Sequence, residues 1–402
     1  MSINVDTIAE MVVLSLESAG YARSTIGQYK KSIKALKEFS ICQDGIYTKE
    51  LGAEFAQMTI SPKTGNFSKQ RKFDYNRIVW LFDCYVDSGI IDPAIIRTRA
   101  KTADPKTDSY IQLLVSWHAY MERHGLALST KEYYGHLSRE YLLFLERSGI
   151  KAICDADVWS ISGFFKSLTD RSWSNTSMYS LVTSFRPFLR YLGRQDLVCA
   201  CDMMRARRPH TIIPAVDKED VAKVIAVCSN GSIPSRDAAI TLLALVYGIR
   251  ACDIIELRIC DIDWTAGSIS IIQQKTKNPL VLPLVSSVGN ALSDYLIDER
   301  PQVDDDHVFL RSFAPYAALS DHSSIYDIIS KTFTLAGAAK TAVGTRLLRH
   351  TAATRMVNVA TPLPVVSAIL GHASQDSTNT YIATDEEKMR SCVLPLPEGV
   401  QQ

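Results

Sequence analysis

The chain has 402 residues, which is enough for two or three domains and a sizeable core. With 47% apolar and 22% charged residues, the composition excludes an extensively disordered protein, and the most apolar run, residues 238–249, is too short to span a bilayer. The formal charge of +1 gives no general attraction to nucleic acid, so any such binding must come from local clusters of cations.

Cysteine usage points to a reducing compartment. Nine cysteines, an odd number, are scattered through predicted helices, which is typical of free thiols in the cytoplasm and not of a disulfide framework. The N-terminal residues lack the basic start and the cleavage site of a signal peptide. Cys199 and Cys201 form the only close pair, and no second pair at a suitable spacing completes a zinc site. We therefore expect a cytoplasmic protein without a bound metal.

Two helical segments that lie 105 residues apart resemble each other. The first begins with helices predicted at residues 8–19 and 22–40, followed by a polar loop at 59–70 and a helix at 71–89. Pro105 then interrupts the chain in a predicted linker. Five identities at one offset indicate a duplicated helical module: Gly20, Ser24, Thr25, Tyr29 and Phe39 match Gly125, Ser129, Thr130, Tyr134 and Phe144.

Positive charge is concentrated between residues 166 and 210, where eight Lys or Arg stand against three acids. Arg186, Arg190 and Arg194 recur every four residues, which predicts one helix face that lies along a phosphate backbone; a solvated helix face is the alternative. The extended, basic segment that follows carries three more candidate DNA-binding residues: Arg205, Arg207 and Arg208.

Helices and one β-hairpin are predicted next. Asp217 is expected to cap a helix, and residues 234–249 are expected to form an apolar one. Residues 268–284 alternate, are rich in Ile and Val, and are broken at 276–279, which predicts two strands and a tight turn. The acidic run at 304–306 is interpreted as a solvated loop and not a metal site, because consecutive carboxylates point in different directions.

The stretch at residues 344–381 gathers cations and a candidate nucleophile. Thr345 is predicted to cap a helix that begins at Arg346. Arg346, Arg349 and His350 are then spaced i, i+3 and i+4, so that one face presents two guanidinium groups and an imidazole.

A second helix in this stretch leads to the candidate nucleophile. Thr361 is predicted as its cap, Pro362 as its first residue and Gly371 as its end, which places His372 on a rigid corner. Tyr381 follows in a polar segment, which favours a solvent-accessible phenol.

Attack of a tyrosine oxygen on a phosphodiester requires this combination of side chains. A phenol with a pKa of roughly 10 needs neighbouring cations to ionise. The phosphate gains charge in the transition state, and arginine binds its oxygens in a fork geometry that lysine cannot reproduce.

With LLRHTAATRMV, then LGHAS, and a tyrosine nine residues after the histidine of LGHAS, the chain resembles the tyrosine recombinases, the phage integrase family. The resemblance covers residues 216 to about 390 and, more loosely, the preceding segment. It implies a mainly α fold, with helical N-terminal DNA-binding modules and an α-helical catalytic domain that contains a small antiparallel sheet. The family usually has His-x-x-Arg where this chain has Arg346, and a cation there that hydrogen-bonds the phosphate would keep part of the role of the histidine.

The resemblance assigns the main chemical roles. It implies that Tyr381 attacks the scissile phosphate to form a 3′-phosphotyrosyl link, while Arg250 and Arg349 hold the phosphate. Lys275 matches the hairpin lysine that protonates the leaving 5′ oxygen, and the nearby Lys277 is its rival.

Four further residues take part on the same resemblance. His372 hydrogen-bonds the phosphate or the leaving group, and Arg346 takes the place of the usual histidine. Asp253 and His350 are expected to support the site.

The resemblance also implies the domain organisation. We expect an N-terminal helical module that is arm- or DNA-binding-like at residues 1–104, a core-binding helical domain at 107–204, a linker at 205–215 and a catalytic domain at 216–402. An N-terminal module that contacts only protein is the alternative.

The expected partners are double-stranded DNA with inverted-repeat core sites, three further copies of the chain in a homo-tetramer on two DNA sites, and an accessory directionality factor. No cofactor is expected, because the covalent link conserves the energy of the phosphodiester. The implied activity is site-specific recombination, for integration or excision of a mobile element. A type IB topoisomerase and a non-catalytic DNA-binding relative, the latter suggested by Arg346, are the two alternatives.

Overall fold

The computed structural model of this chain describes residues 3–41, 44–93, 104–169, 175–204, 215–338 and 343–371. The predicted fold class is confirmed: the described residues are mainly helical, with a small antiparallel sheet. None of their helices combines the length and the apolar character needed to cross a membrane.

The chain divides into two compact units, which are Met1–Arg97 together with Ile212–Gln402, and Thr98–Thr211. The first unit contains two separate large hydrophobic clusters, one in its N-terminal part and one in its C-terminal part. A third cluster forms the core of the second unit.

Between residues 3 and 93, apart from 42 and 43, the N-terminal part of the first unit has four α-helices: α1 Val5–Ser18, α2 Arg23–Ser40, α3 Lys49–Ala56 and α4 Lys69–Ser88. A two-stranded antiparallel pair, β1 Ile3–Asn4 and β2 Ile46–Tyr47, joins the start of α1 to the start of α3. The stripe predicted for α2 packs against this core: Ile26, Tyr29, Ile33 and Leu36 are buried, and Phe39 is half-buried.

Where the structure describes the second unit, it consists mainly of five α-helices: α5 Asp108–Arg123, α6 Leu128–Arg147, α7 Val158–Thr169, α8 Asn175–Tyr191 and α9 Gln195–Met203. Aromatic side chains fill its core. Trp117, Tyr141 and Phe164 are at most 1% exposed, and each contacts at least one other ring.

The structure supports the internal repeat. The helices α2 and α6 begin at Arg23 and Leu128, which are 105 residues apart, and each is preceded by a glycine with positive φ, +76° at Gly20 and +61° at Gly125. Both helix pairs therefore turn in the same way, at a left-handed residue that glycine adopts without strain.

The described residues of the C-terminal part contain a three-stranded sheet and seven α-helices: α10 Lys218–Ser229, α11 Ser235–Tyr247, α12 Ala251–Ile255, α13 Ser286–Asp294, α14 His322–Leu335, α15 Thr345–Asn358 and α16 Leu363–Leu370. Its strands are β3 Ile262–Asp263, β4 Ser268–Ile272 and β5 Pro279–Pro283, antiparallel in that order. The predicted hairpin is thereby confirmed, with a wider turn at 273–278, and β3 is a strand that the sequence did not predict.

The central element of this part is α11. Residues 238–245 of this helix are buried on every side, because it packs against α10, α13, α14 and α15. A helix that is apolar all round must lie inside the protein. Because α11 is held by its neighbours on every side, its C-terminal end, where the site begins, has a fixed position.

Candidate active site

The first part of the site is the corner between α11 and α12. Helix α11 ends at Gly248, which has a φ of +67°, and Arg250 is the N-cap of α12. A Cβ added to Gly248 would lie 3.1 Å from a methyl group of Leu370 and 3.3 Å from the Cα of Arg349. Glycine is therefore needed both for the backbone conformation and for the close approach of α15 and α16.

The Arg250 side chain extends from this corner towards the end of α16. Its Nη2 donates to the carbonyl of Gly371 at 3.0 Å, and its Nη1 donates to Oε1 of Gln273 at 3.3 Å. Asp253, buried on the first turn of α12, lies 3.9 Å from Nη1 and balances part of the charge.

Asp253 also holds the hairpin. Its Oδ1 accepts a hydrogen bond from the main-chain N–H of Gln274 at 2.7 Å. The carboxylate thus connects α12 to the turn between β4 and β5.

The second arginine comes from α15. Nη1 of Arg349 donates to the carbonyl of Gly248 at 2.9 Å, and its Nη2 donates to the carbonyl of Leu370. Since Leu370 and Gly371 are consecutive, the two guanidinium groups bind neighbouring carbonyls at one helix end. The last carbonyls of a helix have no partner within it and carry partial negative charge, so they attract cations.

The other predicted residues of α15 are distributed differently. The predicted cap is wrong: the helix begins at Thr345, with Gly344 as N-cap and no side-chain cap. Arg346 is exposed and Arg349 half-buried, but His350 is only 3% exposed, so the imidazole is not presented to solvent with the guanidinium groups. The i, i+3 and i+4 spacing places Arg346, Arg349 and His350 on one side of α15. The packing of α15 against α11 then buries the part of that side that carries His350.

The helix that ends at the site is α16. It begins at Leu363 with Pro362 as its N-cap, so the prediction of Pro362 as the first helical residue is wrong by one position. The predicted end is confirmed, because Gly371 is the left-handed C-cap with a φ of +60°. His372 and Tyr381 lie outside the described residues.

Lys275 lies in the turn between β4 and β5, exposed, as does its rival Lys277. The turn is closed by two main-chain hydrogen bonds, from Gln273 N to Asn278 O at 3.0 Å and from Lys277 N to Gln273 O at 2.7 Å. Lys277 has a φ of +58°, a left-handed conformation that supports the turn.

Sequence reasoning missed Gln273. Its side chain is 2% exposed, and its Oε1 accepts from both Arg250 and Thr276. A signal was present, because alternation along β4 places Gln273 on the same buried face as Ile269 and Ile271. A polar residue in that position requires a hydrogen-bonding partner inside the protein.

The predicted row of DNA-binding arginines does not share one helix face. Helix α8 ends at Tyr191, and Arg194 is the N-cap of α9. Arg194 binds the carboxylate of Asp196 and donates to three carbonyls of the 153–156 segment. Arg186 is paired with Asp202, and Arg190 is exposed. The remaining candidates, Arg205, Arg207 and Arg208, lie outside the described residues.

The acidic run differs from a freely solvated loop. Asp305 accepts from the ring Nδ1 of His307 at 2.7 Å, and Asp306 is paired with Arg258. These contacts hold the pKa of each carboxyl below its ordinary value, against the opposing effect of burial at Asp305. These contacts hold residues 305–307 against Arg258, which precedes β3 in the chain.

The family model described as "Phage integrase family" matches residues 214–388. The putative integrase/recombinase y4rF of Sinorhizobium fredii is 30% identical over 314 residues, which cover 76% of this chain and 73% of that protein. The tyrosine recombinase XerC of Oceanobacillus iheyensis is 26% identical over 275 residues, covering 66% of this chain and 88% of that one.

The fold is similar to that of the integrase of the transposon Tn1549, whose structure contains residues 82–397 in complex with circular intermediate DNA. The TM-score is 0.54 at 14% identity, over 71% of this chain and 99% of that one. The similarity to y4rF, at 30% identity over 73% of its length, identifies the family. The chain belongs to the phage integrase family of tyrosine recombinases, the enzymes that break and rejoin DNA at specific sites.

Proposed function

We propose that this recombinase cuts and rejoins DNA through a 3′-phosphotyrosyl intermediate on Tyr381, in the integration or excision of a mobile element. The observation that carries the proposal is the convergence of Arg250 and Arg349. These residues are 99 positions apart in the sequence, yet they donate to the carbonyls of Leu370 and Gly371, immediately before His372.

The same two forks suit a phosphate. Carbonyl oxygens at a helix end and the nonbridging oxygens of a phosphodiester are both acceptors with negative charge, and a phosphate binds guanidinium more strongly. In the proposed step the phenol of Tyr381 loses its proton to water, its oxygen bonds to phosphorus, and the bond to the 5′ oxygen breaks. Lys275 gives that oxygen a proton, so the step is balanced without a cofactor or a metal.

The remaining residues assist this step. We assign His372 and Arg346 to hydrogen bonds with the phosphate or the leaving group, and Asp253 and His350 to support. Religation is the same step in reverse, with the 5′ hydroxyl of a partner strand as nucleophile. We expect four copies on two DNA sites, each an inverted repeat of core sequences, with an accessory protein to set direction, all in the cytoplasm.

A nicked suicide duplex tests the proposal, because loss of the short strand after cleavage prevents religation. Wild-type protein should become covalently linked to the DNA, and the Tyr381→Phe variant should bind the duplex without a link. A wild type that binds the DNA but forms no adduct would contradict the proposal and favour a non-catalytic DNA-binding relative. In a second assay on a supercoiled plasmid that carries two sites, products that are relaxed but never recombinant would favour a topoisomerase.

We also propose that the N-terminal module at residues 1–104 contacts DNA. It is supported by the repeat of helix bounds and left-handed glycines described above, and by its charge distribution. Residues 23–37 and 63–77 carry ten Lys or Arg and one acid, Asp74. Such a segregation of cations favours attraction to a phosphate backbone.

A cleft of about 510 Å³ between α2 and α4 is the surface that we assign to this contact. Hydroxyl and amide groups of Ser24, Gln28 and Gln70 line it, and Arg77 lies 4.0 Å over the ring of Tyr29. Side chains of these types donate to and accept from base edges. Full-length Arg77→Gln and Gln28→Ala/Gln70→Ala proteins should bind a two-site DNA more weakly while cleaving a short core duplex normally. Unchanged binding would assign the module to protein contacts.

A further inference from the structure

Gln273 is a buried amide at the start of the hairpin turn. It directly follows β4, its neighbour Ile272 is 66% exposed, and Lys275 beyond it is exposed, whereas Gln273 is 2% exposed. A buried primary amide without hydrogen-bonding partners destabilises the folded protein, so the contacts of the Gln273 side chain must satisfy it.

The contacts of Gln273 join three elements. Its Oε1 accepts from Nη1 of Arg250 at 3.3 Å and from the hydroxyl of Thr276 at 2.7 Å. Its main-chain N–H and carbonyl close the hairpin turn that carries Lys275. The same side chain therefore contacts the phosphate-binding arginine and, through Thr276, the turn of the proposed general acid.

The third element is the end of α16. A Cβ built on Gly371 would overlap the carboxamide of Gln273, so this glycine leaves the space that the amide occupies. Arg250 donates to both of them, to Oε1 of Gln273 and to the carbonyl of Gly371. The guanidinium group is thus held from two sides in one orientation.

The amide is neutral, and this property matters for binding an anion. A carboxylate in the same position would form an ion pair with Arg250 and compete with the phosphate for its charge. A neutral acceptor orients the guanidinium group and leaves its positive charge for the ligand. Asp253, 3.9 Å from Nη1, already supplies the one buried carboxylate that contacts Arg250 among the described residues.

We infer that Gln273 is a positioning residue for DNA cleavage, which couples the orientation of Arg250 to the placement of the Lys275 turn. This inference rests on the proposed phosphotyrosyl chemistry. Displacement of a catalytic group by about 1 Å can reduce a rate by roughly 100-fold, so loss of the amide contacts should act mainly on the cleavage rate and little on DNA affinity.

The test compares two suicide duplexes with full-length protein under single-turnover conditions. One has the natural scissile phosphate, and the other has sulfur in place of the leaving 5′ oxygen. A thiolate leaves without a proton, so the sulfur duplex reports on phosphate binding and attack but not on the general acid. Lys275→Ala calibrates the assay, since its defect should disappear on the sulfur duplex.

Gln273→Met keeps the length of the side chain and removes its polar atoms, and Gln274→Met is the matched control on the adjacent, half-buried residue. We expect Gln273→Met to cleave the oxygen duplex about 10- to 100-fold more slowly than Gln274→Met, with partial recovery on the sulfur duplex. Gln273→Glu should be at least as slow on both duplexes, because its charge competes for Arg250. Thr276→Val, which breaks only the contact with the turn, should recover almost fully with sulfur.

Thermal unfolding and duplex binding are measured for each variant beside its cleavage rate. Thr276→Val keeps the inference testable where Gln273 variants fold poorly. Equal rates for Gln273→Met and Gln274→Met, or a Gln273→Glu variant faster than Gln273→Met, would overturn the inference while leaving the proposed function intact. A wild type that cleaves neither duplex would overturn both.

Discussion

Replacement of Gly371 by alanine should disable the arginine pair by two separate effects. Gly371 has a φ of +60°, and an L-residue in the left-handed region costs about 1–2 kcal/mol. In addition, the new Cβ would overlap the carboxamide of Gln273. Overpacking of a well-packed site typically costs a further 1–3 kcal/mol or so, and the displacement of Gln273 and the Gly371 carbonyl would move Arg250.

Gly337 provides a matched control for the backbone effect. Its φ is +65°, and a Cβ added there meets nothing within 4 Å. Gly337→Ala should therefore lose only about 1–2 kcal/mol of unfolding free energy and cleave suicide DNA at the wild-type rate. Gly371→Ala should lose more, by urea unfolding, and should cleave at least about 10-fold more slowly. Wild-type cleavage by a folded Gly371→Ala protein would refute the close packing of Gln273 beneath this residue.

Three further predictions concern contacts away from the phosphate. Asp253→Ala should lower the unfolding free energy by about 1–3 kcal/mol, because the N–H of Gln274 loses its acceptor. Asp253→Asn keeps an acceptor oxygen and should recover most of that loss. Equal losses for the two variants in urea unfolding would contradict this prediction. Arg194→Gln should destabilise the protein by about 1–3 kcal/mol without a specific effect on DNA binding. Arg190→Gln should leave stability unchanged and should reduce the slope of log binding constant against log salt concentration by about one. The reverse result would restore the predicted basic face. The hydrogen bond from Arg194 holds the pKa of Asp196 at about 2, below the ordinary 3.8. This carboxylate therefore adds stability above pH 3.8, and that stability is lost as the pH falls towards 2. Arg194→Gln should remove this contribution from the acid unfolding curve.

The local elements near the site were predictable from the sequence because their signals are local. Alternation of Ile and Val predicted the hairpin, and Gly371 predicted the end of α16. The row of three arginines was misread for an equally local reason. Gly193, with a φ of +69°, ends the helix between Arg190 and Arg194, and a glycine in that position is a C-terminal signal.

The convergence of the site was not predictable from spacing. Arg250 and Arg349 meet through main-chain carbonyls of a third segment, and no pattern in either segment specifies that contact. The resemblance to a family, and not the periodicity, placed both arginines in one site. Gln273 belongs to no motif. Alternation predicts its burial, but its contacts with Thr276 and with the main chain of the turn follow only from the folded structure.

The central claim is that the phenol of Tyr381 and the guanidinium groups of Arg250 and Arg349 act on one phosphorus atom. Tandem mass spectrometry of the peptide that remains linked to suicide DNA tests it most directly. We predict one linked residue, Tyr381, attached to the 3′ phosphate, with adduct formation greatly reduced when Arg250 or Arg349 is replaced by alanine. A link to another residue, a link to a 5′ phosphate, or full adduct formation without either arginine would contradict the account.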